Sequence, residues 1–107
     1  MATAVIDPDV TVTTLINVFT VEPARQDELV ALLDEATEAV MRHRPGFVSA
    51  NIHASLDGTR VVNYAQWESE EAMNAMLADP ACREHMGGAA ALAGFEPHLY
   101  RVCSTHR

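Results

Sequence analysis

The stretch "FVSANIHASLDGTRVVNYAQW", residues 47–67, decides the fold. Two runs rich in β-branched and aromatic residues flank Asp57-Gly58, a dipeptide that supplies the positive φ angles of a tight hairpin turn. A two-residue loop sets Leu56 opposite Thr59 and fixes every pair behind it. Strand alternation then separates two faces. Val48, Ala50, Ile52 and Ala54 share one with Val61, Asn63, Ala65 and Trp67. Ser49, Asn51, His53 and Ser55 share the other with Arg60, Val62, Tyr64 and Gln66. Asn63 is thus the polar side chain on an otherwise apolar face. A buried carboxamide without a partner costs roughly 1 to 3 kcal/mol. Asn63 is either satisfied by a backbone group or a buried water, or it lines a cavity.

Outward from the hairpin, "TVTTLINVFTV" (11–21) reads as a first strand ended by Pro23, and by parity it adds Leu15, Asn17 and Phe19 to the apolar face. Over residues 24–43, Leu29, Leu32, Leu33, Ala36 and Val40 recur at helical spacing, and "RPG" (44–46) ends that helix. Ser69 caps a short helix with Glu70 and Glu71 in its first turn, and Asp79-Pro80 begins another. Gly87-Gly88 and Gly94 bring that region to an end. "FEPHLYRVC" (95–103) is a last strand whose Pro97 marks an edge or a bend. The order is βαββαβ with the second helix in two pieces. It predicts an α+β, ferredoxin-like fold, a four-stranded antiparallel sheet with helices on one face. Residues 1–10 read as a flexible lead and 11–107 as a single domain. The bare sheet face, with Ile16, Val18, Phe47, Val62 and Tyr64, predicts a homodimer closed sheet to sheet.

At 107 residues the chain has room for one core and none for separate cofactor and substrate domains. A net charge of -8 opposes nucleic acid and anionic lipid, and the apolar runs fall short of membrane-spanning length. The opening "MATAVIDPDVT" lacks the basic and apolar regions of a signal peptide, so a cytoplasmic location is expected. Cys82 and Cys103 lack metal or redox spacing and read as thiols, small core residues by habit. The histidines at 43, 53, 85, 98 and 106 form no HExxH and no close pair, and no glycine-rich phosphate loop is present. No metal and no cofactor is expected. Trp67 at a strand end is either core filler with its N–H tied to a carbonyl, or a donor facing the same cavity as Asn63.

The segment "PGFVSANIHASLDGTRVVNYAQWESEEAM" resembles the central signature of the antibiotic biosynthesis monooxygenase family, and in particular its aromatic polyketide tailoring members. The likeness is strongest over residues 45–76, and the element order extends it along most of the chain. It implies a dimeric α+β barrel that oxidises a phenolic, multi-ring compound to a quinone with O2 and no flavin, haem or metal. An electron-rich phenolate can pass an electron to oxygen directly if the protein holds it dry and oriented. The resemblance makes Asn63 and Trp67 the catalytic pair, with N–H groups that stabilise an oxyanion or peroxide. His53 matches a family position as an acid/base candidate, although the hairpin register sets it on the other face. Met73 stands where relatives place an aromatic phenol and Met86 where they place an arginine, with Arg83 nearby. Met73, Met76 and Met86 form either a greasy substrate wall or ordinary core. A sister group with this fold degrades haem through an Asn on the first strand and a His on the third helix, positions comparable to Asn17 and His85, but the matching Trp is replaced near Met76. The same fold also serves quinol oxidation, and it could form a non-catalytic module that binds a hydrophobic metabolite.

Overall fold

The computed structural model describes residues 2–107, in which the hairpin is flanked by the elements expected of it. In order they are β1 (Thr13–Thr20), α1 (Gln26–Ala39), β2 (Phe47–Ala54), β3 (Arg60–Trp67), α2 (Glu70–Ala78), α3 (Pro80–Leu92) and β4 (Gly94–Tyr100). The strands form one antiparallel sheet in the order β2-β3-β1-β4, and the helices cover one of its faces. This is the ferredoxin-like α+β arrangement. Pro97 lies on β4, at the sheet edge, where a missing N–H is tolerated.

The register of the hairpin is the expected one, with Ala50 opposite Ala65, Ile52 opposite Asn63 and Ala54 opposite Val61. Its turn is different. Gly58 N–H donates to Ser55 O and Ser55 N–H to Arg60 O, so the loop is four residues long, and Gly58 alone takes a positive φ, +81°. Asp57 instead works through its carboxylate, which accepts from Thr59 N–H, Thr59 Oγ1 and Ser55 Oγ. Those bonds hold its pKa down from 3.8 to about 2, the Thr59 hydroxyl contributing most. Both loops are symmetric about the same point, which is why the register survives the change of turn.

A β-bulge between Phe47 and Ser49 corrects the face assignment at the start of β2. Phe47 pairs with Trp67, lies edge-on to its ring at 5.4 Å and joins the core, whereas Val48 is turned out to solvent. The extra residue exchanges the two side chains between faces. Gly46 precedes it at φ +82°; a Cβ there would lie 2.4 Å from Ala72 Cβ, so glycine lets the chain pass directly beneath α2.

Ser69 Oγ accepts from Ala72 N–H at the start of α2, and Asp79 Oδ1 accepts from Ala81 and Cys82 N–H at the start of α3, as the cap residues predict. Arg44 pairs with Asp79, tying the entry to β2 to the α2–α3 junction. The helix expected over 24–43 is flanked by 3-10 turns, Pro23–Arg25 and Met41–His43. Gly87 and Gly88 do not end α3, which runs on to Leu92. Gly88 faces α1, where a Cβ would press to 3.3 Å from Leu32, so close helix packing outweighs the low propensity of glycine. The last strand ends at Tyr100, short of the expected 103.

Candidate active site

Two separate apolar clusters fill the layer between sheet and helices. One gathers Phe19, Val21, Leu29, Val61 and Ala89; the other gathers Ala65, Trp67, Met73, Met76 and Cys82. Asn17 and Asn63 lie on the strands between them. They are register partners on β1 and β3, with Leu15 opposite Ala65 on one side and Phe19 opposite Val61 on the other. Side chains directly opposite on one face sit about 4.5 to 5.5 Å apart at Cβ. The two carboxamides therefore meet in the middle of the helix-facing side of the sheet.

Their chemistry is unspent. Asn17 Oδ1, Asn63 Oδ1 and Trp67 Nε1 are buried and have no protein hydrogen-bond partner. Buried polar atoms are nearly always paired; Thr14 Oγ1 and Arg44 Nε are also without a protein partner, but only these three share the helix-facing side of the sheet, which makes it the candidate site. The carboxamide can turn to offer either oxygen or N–H2, and the indole offers only a donor. A phenol hydroxyl or its oxyanion can thus be met at either protonation state.

Trp67 does not converge on the same point as Asn63. Four residues separate them on one strand, about 13 Å at Cα, with Ala65 between. Ala50 lies beside Ala65 on β2, and these small side chains leave a low floor between the carboxamide pair and the indole. Met73 and Met76 are buried with Trp67 on the α2 side. The arrangement is a carboxamide pair at one end, an indole N–H at the other and a greasy surface between them.

His53 is not part of it. It lies on the far face of β2, exposed, with Nδ1 at 3.1 Å from Asn51 O. The register already set it there, and the bulge at Val48 comes too early in the strand to move it. His85 and Met86 are half-buried on α3, between Cys82 and Ala89 at helical spacing, and belong to neither cluster. No group of three or more His, Cys, Asp or Glu side chains converges among the described residues. Cys82 is buried, and burial, with the Asp79 charge adding to it, raises its thiol pKa. Cys103 is exposed.

Two concavities lie elsewhere. One of about 320 Å³ is on the open sheet face, lined by Val5 and Val10 of the lead and by Val12, Thr14, Gln66 and Arg101. Gln66 there is already satisfied by Val5 O and Ser49 Oγ. A second, wider groove separates Pro23 from the end of α3. Neither contains Asn17, Asn63 or Trp67, so the candidate site rests on the unpartnered buried atoms of these three residues and not on a cavity volume. Sequence parity pointed to Asn17, but nothing in the sequence showed that it, and not Trp67, is the immediate neighbour of Asn63.

Comparison with known proteins places the fold and the family. The family model described as "Antibiotic biosynthesis monooxygenase" matches residues 13–87. A tetracenomycin-F1 monooxygenase of Streptomyces glaucescens is 52% identical over 82 residues, covering 77% of this chain and 73% of that protein. A monooxygenase from the gene ActVA-Orf6 of Streptomyces coelicolor, solved with the ligand nanaomycin D, superposes with a TM-score of 0.80 at 37% identity, over 94% of this chain and 95% of that one. SnoaB, a cofactor-independent oxygenase from Streptomyces nogalater, gives a TM-score of 0.75 at 30% identity, over 89% and 96%.

Proposed function

The chain belongs to the antibiotic biosynthesis monooxygenase family, and from that premise we propose that it oxidises a phenolic, polycyclic, polyketide-like substrate to a quinone with O2. It is a cofactor-free monooxygenase of the polyketide type, by its likeness to the tetracenomycin-F1 enzyme and to SnoaB. The observation that carries the finer reading is the set of three unpartnered buried atoms, Asn17 Oδ1, Asn63 Oδ1 and Trp67 Nε1, on an otherwise apolar face.

The reaction balances without an external reductant. A ring carbon bearing hydrogen becomes a carbonyl, one atom of O2 enters that carbonyl, the other leaves as water, and the substrate supplies all the electrons. The protein's work is to bind, to exclude water and to favour the electron-rich anion. The paired carboxamides hold the phenol oxygen and stabilise it as it loses its proton. The indole N–H, at the other end of the floor, faces the position where charge develops on oxygen. The apolar floor and the Met73–Met76 wall keep the ring dry, which strengthens each of these interactions.

The active form we propose is a homodimer. Ile16, Val18, Val62 and Tyr64 are on the sheet face that no helix covers, and two such faces close against each other. Phe47 is not among them, since the bulge takes it inward. Sedimentation at micromolar concentration gives a dimer; a stable monomer overturns this part. No helix is long and apolar enough to cross a membrane among the described residues.

Oxygen uptake by chelator-treated, colourless protein, measured against a panel of anthrones and naphthols, tests the function. Stoichiometric consumption with quinone formation is expected. Binding without oxygen consumption across the panel rejects catalysis in favour of a binding module, and a Soret band on haem addition that disappears in His85→Ala rejects it in favour of haem degradation.

A further inference from the structure

We propose that β4 supplies an apolar ledge, made by Phe95, Pro97 and Leu99, that carries the distal ring of the substrate and sets how many fused rings the enzyme accepts. The inference rests on the proposed oxidation of a polycyclic phenol and adds to it a part of the site outside the helix-covered cleft.

The ledge is continuous with the site by register. Asn63 on β3 is opposite Asn17 on β1, and Asn17 is opposite Pro97 on β4. One transverse row therefore runs from one carboxamide to the next and on to the proline. Phe95 is opposite Phe19 and Leu99 opposite Leu15, so they flank Pro97 on the same face. The Phe95 and Phe19 rings lie 6.4 Å apart, which places Phe95 on the helix side of the sheet.

The helices do not cover this strip. Every residue of β4 is exposed, and Phe95 and Leu99 stand 56% and 41% open although their register partners Phe19 and Leu15 are core or core-packed. The cleft is closed at the Trp67 end, where Phe47, Met73 and Met76 pack round the indole. A polycyclic molecule whose reacting ring lies on the floor, with its phenol oxygen on the carboxamides, finds open space for its further rings on the β4 side. Adjacent strands are about 4.8 Å apart, so Asn63 to Pro97 spans about 10 Å, the length of a linear tricyclic aromatic. Proline suits the ledge, since at a sheet edge its missing N–H is tolerated and its ring is apolar.

The test compares a tricyclic anthrone with a bicyclic naphthol in the parent and in Phe95→Ala, Leu99→Ala and Phe95→Tyr. These side chains are on an exposed strand, so the variants are expected to fold. The ratio of kcat/KM, tricyclic over bicyclic, should fall about tenfold in each alanine variant, mainly through KM, which is the effect of removing one side chain from beneath an aromatic ring. Phe95→Tyr should restore it. An unchanged ratio overturns the ledge. So does a dimer that dissociates in the alanine variants, because the strip is then a protein interface. If the parent oxidises neither compound, the functional reading has failed. The ledge is then decided by quenching of Trp67 fluorescence with anthraquinone and naphthoquinone. A tenfold loss of the tricyclic preference supports it, and equal loss, or no binding of anthraquinone by the parent, overturns it.

Discussion

Replacing Asn63 by leucine should make the protein more stable and far less active. Asn63 Oδ1 is buried with no protein partner, and its register neighbours Ile52 and Asn17 face the same layer. A buried polar atom left unpaired costs about 1 to 3 kcal/mol. Because a bound water can serve the resting carboxamide, the lower end applies, and Asn63→Leu, close in volume, should gain about 1 kcal/mol. In a domain of roughly this size that raises Tm by about 4 to 8 °C. Loss of one group that stabilises the developing oxyanion should lower kcat by about 10- to 1000-fold with little change in KM. Thermal melts and oxygen uptake on the same preparations give both numbers. Asn17→Leu should behave alike, and the double variant should lose less than the sum, since the two carboxamides meet at one point. Trp67→Phe combined with Asn63→Leu should be closer to additive, because the residues act at opposite ends of the floor. A folded Asn63→Leu or Asn63→Ala variant with full kcat ends the catalytic role of this residue. A melting point several degrees lower, with activity lost only in proportion to folded protein, makes Asn63 structural instead.

Gly46→Ala should destabilise the fold by about 2 kcal/mol or more, since it places a side chain at positive φ and against Ala72; a melting point unchanged from the parent refutes the close approach. Under native conditions a thiol reagent should modify exposed Cys103 quickly and buried Cys82, whose pKa is raised, only on unfolding; two equally fast thiols contradict this. Asp57 has a folded pKa depressed to about 2, so its contribution is complete above the ordinary value of 3.8 and is lost as pH falls towards about 2. Melting points of the parent and Asp57→Asn should therefore converge across that window, and a gap that stays constant below it rejects the Asp57 turn as the source.

The element order, the hairpin register and the two helix caps were legible because each depends on local signals: alternation, Asp57-Gly58, Ser69 and Asp79-Pro80. Asn63 was conspicuous for the same reason, as a carboxamide on a face that alternation had marked apolar. The family likeness followed from that same contiguous stretch, residues 45–76, and the family model's match over 13–87 contains it.

What local pattern could not decide was set by contacts distant in sequence. The bulge that sends Phe47 in and Val48 out is stabilised by the packing of Phe47 on Trp67, and strict alternation contains no sign of it. The Gly87-Gly88 pair reads as a helix end, yet α3 continues because Gly88 lets Leu32 of α1 approach. The meeting of Asn17 with Asn63 joins residues 46 positions apart through strand pairing, as does the row on to Pro97. By itself the sequence determined which residue types could do the chemistry and on which face of which strand they stand, since those follow from periodicity along a single chain. Only the tertiary structure decided which of them touch, which polar atoms are left without partners and which edge of the sheet stays uncovered, since these depend on elements brought together by the packing of two apolar clusters.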